Sequence, residues 1–162
     1  MMLSTACGND CEGKEGATRD CRFFFKEDGT ITPAQLELVQ SNAIPMTVSE
    51  EFAEAALVEP AEQRINATFF SFPAEAGHIY SFGCEAITVG GCEFIVMGMD
   101  GRRLARTGLG PAFDTITCFH SVESGTHYAM VVPFIIGQQY GTFRYRLQDL
   151  GLDVSVNHYC SQ

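Results

Sequence analysis

Apolar and polar side chains alternate most regularly near the end of the chain, between positions 142 and 148. Phe143, Tyr145 and Leu147 share one parity, and every residue between them is polar. A period of two residues is typical of a strand that buries one face and exposes the other. The pattern therefore predicts a β-strand here.

Shorter alternations with the same period occur earlier in the chain, and an Asp100-Gly101 pair, which is a strong hairpin signal, follows one of them. The apolar sets with shared parity are Tyr80, Phe82 and Cys84, then Cys92, Phe94 and Val96, then Tyr128, Met130 and Val132. Short strands that follow one another closely, with glycine-rich turns between them, favour an antiparallel sandwich over a parallel sheet.

The region before position 65 carries helix signals. Thr32-Pro33-Ala34-Gln35 has the form of a helix N-terminus, with Thr as the cap, Pro at the first helical position and Gln three residues after the cap. The next residues, Leu36 to Val39, are compatible with either a helix or a strand. The segment from Ser49 to Leu57 is helical by propensity.

Four motifs stand in order between Phe70 and Leu147, and they read F-S-F-x-A-E-A-G-x-x-Y, D-G-x-x-L-A, S-G-T-x-Y and G-T-F-x-Y-x-L. This series resembles the bacterial pre-peptidase C-terminal domain, a small non-catalytic β-sandwich that accompanies secreted proteases and occurs in envelope proteins. The resemblance implies that the first sandwich strand lies near Ala55–Val58, against the helical propensity of that segment.

The expected fold is therefore all-β, an antiparallel, jelly-roll-like β-sandwich with a short Cys-rich N-terminal extension. We assign residues 1–30 to that extension and residues 31–54 to a connecting segment. The sandwich is predicted to occupy residues 55–150. A tail at residues 151–162 is predicted to be tied back to the sandwich through Cys160.

Composition narrows the class of function. Apolar residues make up 46% of the 162 residues, which is enough to build a folded core. Ten basic and twenty acidic residues give a formal net charge of −10. Because nucleic-acid binding depends on clustered Lys and Arg, this balance argues against a nucleic-acid partner.

None of the cysteines has the C-x-x-C spacing of zinc and thioredoxin-like sites, so disulfides in an oxidising compartment are the better interpretation. With Cys7 set aside, six cysteines still allow fifteen pairings. Proximity favours Cys11–Cys21 and Cys84–Cys92, which leaves Cys118–Cys160. The seven cysteines are Cys7, Cys11, Cys21, Cys84, Cys92, Cys118 and Cys160.

Cys7 follows Leu3-Ser4-Thr5-Ala6, which resembles the end of a bacterial lipoprotein signal, where the cysteine is lipidated. The charged and hydrophobic parts of such a signal do not precede it, so an upstream in-frame segment is expected. A free or paired cysteine near the terminus is the alternative. The prediction is a location in the bacterial cell envelope or outside the cell, with membrane contact only through a lipid anchor.

The sequence offers little that points to catalysis. His120, Glu123 and His127 are close in sequence, but strands flanking a turn do not place them on one face as a helix would. No G-x-S-x-G elbow, P-loop or dinucleotide fingerprint is present in the sequence. We expect a protein that is not an enzyme and has no catalytic residues.

We expect no cofactor, and calcium is the alternative. The resemblance implies candidate oxygen ligands before the first strand and in loops, and Glu59, Glu62 and Asn66 occupy roughly that region. Two departures weaken the case: Thr68 stands where relatives carry Asp, and residues 107–110 replace an Asp-rich loop.

For ligand binding, the first candidate is the segment from Phe134 to Tyr140, with Phe134, Ile135, Ile136 and Tyr140 as contacts for a protein, a matrix or a glycan surface. The alternative is that residues 134–136 extend a strand into the core. The function predicted is a non-catalytic envelope or secreted accessory module. A protease-associated domain whose catalytic partner is encoded elsewhere and a structural surface lipoprotein are the alternatives.

Overall fold

The computed structural model describes residues 25, 26, 28–57, 67–106, 114–133 and 140–152, without the side chains of residues 114–117. Those residues form one helix and nine strands. The elements are α1 Pro33–Asn42, β1 Ile44–Pro45, β2 Ala53–Leu57, β3 Thr68–Ala74, β4 His78–Ala86, β5 Cys92–Met97, β6 Arg103–Arg106, β7 Asp114–His120, β8 Gly125–Pro133 and β9 Gly141–Leu152.

The strands form two sheets. Sheet one has the strand order β1-β3-β8-β5-β6, and sheet two has the order β2-β9-β4-β7. Strand pairs are antiparallel except that the two-residue β1 runs parallel to β3. The predicted all-β class and antiparallel sandwich are therefore confirmed.

Aromatic side chains fill the space between the sheets. Phe72 of β3 meets Phe82 of β4 with ring centroids 5.0 Å apart and planes inclined by 70°. Phe70 of β3 meets Phe143 of β9 edge-on, at 6.5 Å and 86°. All four rings are buried. Burial of each such side chain stabilises the folded state by on the order of 2–3 kcal/mol. These contacts are therefore a main source of the stability of the packing between the sheets.

A third layer covers the outer face of sheet one. Val39 of α1 and Phe25 pack on this face. They meet apolar side chains that point away from the other sheet, namely Phe69, Ile95, Met97, Met130 and Val132. Because both faces of sheet one are covered, all six residues of β5 are buried. The apolar side chains of β8 that alternate in the sequence, Tyr128, Met130 and Val132, therefore face the helix layer. Ala129 and Val131, between them, face sheet two.

The helix begins as its sequence predicts. Gln35 donates its backbone N–H to Thr32 Oγ1 at 3.2 Å, and Thr32 donates its own N–H to Gln35 Oε1 at 2.7 Å. This reciprocal pair is a capping box, with Pro33 in the first helical turn. Residues 36–39 continue the helix, which settles the alternative that the sequence left open. No helix within the described residues is long and apolar enough to cross a membrane.

Residues 53–57 form a strand rather than a helix. They pair with β9 from Ala53↔Tyr145 to Leu57↔Gly141. Leu57 is buried in the core between the sheets. The strand implied by the family resemblance is thus confirmed, although it begins two residues before Ala55. Pairing with β9 and burial of Leu57 outweigh local helix propensity, which amounts to only a fraction of a kcal/mol per residue.

One of the three predicted disulfides lies wholly within the described residues. Cys84 of β4 is bonded to Cys92 of β5, with their Cα atoms 6.2 Å apart, so the bond links the two sheets. That pairing is confirmed. Cys118 is also disulfide-bonded, whereas its predicted partner lies outside the described residues, as do Cys7, Cys11 and Cys21.

Candidate functional site

The structure describes one residue of the predicted binding and calcium sets. Tyr140 lies immediately before β9, and 38% of it is exposed. The other candidates lie outside the described residues, so their roles stay predictions: Phe134, Ile135, Ile136, Glu59, Glu62 and Asn66.

The strand register nevertheless shows where the two predicted loops attach. β2 ends at Leu57, which is paired with Gly141 at the start of β9. The end of β8, at Pro133, is paired with Cys92 at the start of β5. The described residues that flank the two predicted loops, namely Leu57, Thr68, Pro133 and Gly141, therefore lie at one end of the sandwich, which we call the loop end.

The link between β4 and β5 is also at the loop end, and it is fixed to β9. The backbone N–H groups of Ile87, Thr88 and Val89 all point to the carbonyl oxygen of Thr142, at 3.0, 3.0 and 3.3 Å. In return, Thr142 donates its N–H to Thr88 Oγ1 at 2.7 Å. The Cys84–Cys92 bond closes the same link. Ile87, which is 46% exposed, therefore stands on a well-supported segment close to the start of β9.

Three turns make up the opposite end, which we call the turn end: residues 75–77, 98–102 and 121–124. The first and third are joined by hydrogen bonds, because Ala76 N–H donates to Ser124 Oγ at 2.9 Å and Gly77 N–H to the Ser121 carbonyl at 2.8 Å. Ser121 N–H donates in turn to the His78 carbonyl at 2.9 Å. These bonds hold the two turns in one fixed arrangement.

Four large apolar side chains are exposed at the turn end or beside it. They are Val122 at 78%, Leu152 at 59%, Leu104 at 42% and Met99 at 39%. Nothing in the alternating sequence pattern marks them, and sequence reasoning missed this surface. The available signal was Val122, an isolated apolar residue inside a polar turn.

A polar cluster lies under the first turn. His78 Nδ1 lies 2.9 Å from Asp149 Oδ2, and His78 Nε2 lies 3.5 Å from Glu75 Oε2. Asp149 Oδ1 also accepts the backbone N–H of Gly151 at 2.8 Å. The register between β4 and β9 shifts here, so that Leu150 is left without an opposite residue. Such a bulge redirects neighbouring side chains, and it accompanies the approach of Asp149 to His78.

Tyr80 supports this cluster from below. Its ring lies against the imidazole of His78, with centroids 6.3 Å apart. Its hydroxyl oxygen accepts the backbone N–H of Glu75 at 2.8 Å. Burial raises the pKa of Tyr80, and the charges of Asp149 and Glu75 act in the same direction. Tyr80 therefore stays neutral at physiological pH and serves as a fixed acceptor for the turn.

The three residues that sequence proximity suggested as metal ligands do not converge. His127 is fully buried between the rings of Phe72 and Phe119, with its Nδ1 atom 3.2 Å from the Gly125 carbonyl. His120 and Glu123 are exposed. Among the described residues, no group of three His, Cys, Asp or Glu side chains has the geometry to hold a metal ion.

Comparison with known proteins gives structural similarity alone, since no family model and no curated protein matches the chain. The chain is similar to the pre-peptidase C-terminal domain of a collagenase from Bacillus anthracis, with a TM-score of 0.49 and 12% identity over 66% of this chain and 93% of that one. It is also similar to PliG of Aeromonas hydrophila, a periplasmic inhibitor of g-type lysozyme, with a TM-score of 0.47 and 12% identity over 66% and 96%. The solved structures that match this chain thus include a pre-peptidase C-terminal domain, the family that the sequence motifs resemble.

Proposed function

We propose that this chain is a non-catalytic binding module of the bacterial cell envelope or the extracellular space, and that it contacts its partner through the loop end. One observation supports the proposal: Leu57 and Gly141, which flank the two predicted binding segments in the sequence, are paired with each other, and Ile87 and Tyr140 are exposed near that pair. The partner class is a protein, a matrix or a glycan surface.

The packing of the sheets limits which surfaces are free to bind a partner. Sheet one is covered on both faces, and the inner face of sheet two is packed with aromatic rings. Connections between strands are the usual place for recognition when a scaffold commits its side chains to a core. An exposed tyrosine beside a hydrogen-bonded support loses little conformational freedom on binding, which favours affinity.

The disulfide supports the proposed location in the cell envelope or outside the cell. A bond between Cys84 and Cys92 is typical of proteins that fold in an oxidising compartment such as the periplasm or the cell exterior. Lipidation at Cys7 would add an anchor, and we retain it as part of the proposal. Palmitate labelling in a bacterium that expresses the natural gene tests it, and labelling that persists in Cys7→Ala would contradict it.

The direct test of the loop end is a binding screen against arrays of glycans and matrix proteins. For any partner found, Ile87→Ser with Tyr140→Ala should weaken binding by about tenfold or more, the effect typical of a central aromatic contact. Val48→Ser is the matched control, because Val48 is 49% exposed and belongs to neither end. Equal binding by the double variant and the wild type would refute the loop-end assignment.

The same screen separates the alternative functions. A partner that proves to be a secreted peptidase favours the protease-associated domain. A full screen without any saturable partner favours the structural surface lipoprotein. Calcium as a cofactor is tested by repeating the screen with chelator, because a partner held through Glu59, Glu62 and Asn66 would be lost when calcium is removed.

A further inference from the structure

We propose that the turn end is a second binding surface, and that it accepts a protein partner whose own surface is basic and partly apolar. This inference is independent of the loop end, since the two surfaces lie at opposite ends of the strands.

The exposed apolar side chains of the turn end stand on neighbouring turns and strand ends, and we call the four of them the band. Leu104 lies beside Gly98, and Met99 lies against Gly125. Gly125 follows the turn that carries Val122, and that turn is hydrogen-bonded to Gly77. Leu152 in turn lies against Gly77.

A band of this kind differs from scattered surface residues. Exposed apolar side chains are ordinary when they stand alone, whereas a contiguous set with a polar border is typical of an interface. Here four of the eight large apolar side chains exposed in the described part of the chain fall on one band. The band is therefore the strongest candidate for contact with another macromolecule.

The backbone beneath the band is already in a fixed arrangement. The hydrogen bonds among residues 76, 77, 121 and 124 join two of the turns. Tyr80 fixes Glu75 from below. Met99 occupies the space that a side chain at position 125 would need, which holds the hairpin against the third turn. A preorganised surface loses less conformational entropy on binding, so a partner could dock without large rearrangement.

The charges around the band select the chemistry of the partner. Glu75, Asp100, Glu123 and Asp149 border it, against the guanidinium groups of Arg102 and Arg103 and the imidazole of His78. Arg102 is itself close to Asp28, whose carboxyl pKa is lowered chiefly by hydrogen bonds from Thr30 and to a small extent by Arg102.

The whole chain has a formal net charge of −10, so the long-range field acts in the same direction as the border. A basic protein surface is attracted and correctly oriented by this field, whereas anionic lipid or an acidic protein is repelled. A second copy of this chain would place two acidic borders in contact, which disfavours self-association through the same band.

The test uses two synthetic helical peptides of equal length and identical leucine pattern, one with lysine and the other with glutamate at every polar position. Binding to the intact protein is measured by fluorescence anisotropy, and the site is mapped by NMR titration of backbone amides. The lysine peptide should bind at the turn end and the glutamate peptide should not. Raising the salt concentration should weaken the binding, because the border is exposed to solvent.

Two pairs of variants identify the surface. Val122→Ser with Leu152→Ser should weaken binding of the lysine peptide by about tenfold, through loss of apolar contact. Glu75→Gln with Glu123→Gln should weaken it by about fivefold at low salt and less at high salt. The matched controls Val48→Ser and Glu37→Gln change exposed residues outside the turn end and should leave binding unchanged.

Several results would overturn the proposal. Equal binding of both peptides, or equal losses in the control and turn-end variants, would show that the band recognises nothing specific. Sedimentation that reveals a dimer abolished by Val122→Ser would assign the band to a second copy of this chain instead. Thermal unfolding of each variant is measured alongside, and Val122→Ser alone serves where the double variant is unstable.

Discussion

Removal of the Cys84–Cys92 disulfide should lower stability by an amount that the structure allows us to calculate. The two cysteines are 1% exposed, lie on facing sheets and are separated by eight positions in the chain. In the chain-entropy description, a cross-link that closes a loop of this size removes about 2.5 kcal/mol of conformational freedom from the unfolded chain. For a chain of this length, that loss lowers the unfolding temperature by roughly 5–10 °C.

A mutant cycle separates the cross-link from the packing of the sulfur atoms. Cys84→Ala and Cys92→Ala each abolish the same bond, so each single variant loses the cross-link and one sulfur. The double variant loses the cross-link once and both sulfurs. The sum of the losses in unfolding free energy of the two single variants should therefore exceed the loss in the double variant by about 2.5 kcal/mol.

The assay is urea unfolding followed by fluorescence, with the slope of each transition fitted separately. The slope should rise in all three variants, because the unfolded chain without the cross-link exposes more surface. Peptide mapping checks that the free cysteine in each single variant has not displaced the existing disulfide partner of Cys118 by thiol–disulfide exchange. If the two single losses simply add to give the double loss, the sulfur packing and not the cross-link stabilises the fold, and the prediction is wrong.

Three further predictions concern local features of the fold. Thr32→Ala removes the acceptor of the capping box and should lower the free energy of unfolding by about 1 kcal/mol, measured by urea unfolding. The conservative change Thr32→Ser keeps a hydroxyl acceptor and should retain most of the stability. Gly101→Ala should cost more than about 1 kcal/mol, because φ is +79° and an added Cβ would collide with Ile31; unchanged stability in thermal unfolding would contradict this. Tyr80 has a raised pKa in the folded protein, so above about pH 10 the unfolded chain binds fewer protons than the folded one. The free energy of unfolding therefore falls as the pH rises through this range. Tyr80→Phe should show a smaller fall between about pH 8 and pH 11 in the same thermal unfolding assay.

The strands were predictable where one face of a strand is buried and the other meets solvent. In β9, Phe143 and Leu147 are buried and Arg144 is exposed, so the alternation is visible in the sequence. In β5 both faces are covered, and the pattern alone could not say that Ile95 and Met97 face a helix layer. The layer above sheet one was missed because the weakly amphipathic α1 gives little sign of which surface it covers.

The turn end was not predictable because its features depend on contacts between distant parts of the chain. His78 and Asp149 are 71 positions apart and meet only through the pairing of β4 with β9. Val122 and Leu152 reach the same end of the sandwich only because Gly77 is hydrogen-bonded to the turn that carries Val122 and lies against Leu152. Local turn signals such as Asp100-Gly101 located the hairpin correctly, but they carry no information about which apolar side chains stay exposed.

Our proposal places partner binding on segments outside the folded core at the loop end. The most direct test is Ile135→Ser with Ile136→Ser, measured for both stability and binding to a partner from the array screen. The free energy of unfolding should change by less than about 0.5 kcal/mol, the range typical of surface positions, while partner binding should fall by about tenfold or more. A loss of roughly 2–5 kcal/mol in stability, the size expected when buried aliphatic side chains are removed, would show that both residues belong to the core and would contradict the account.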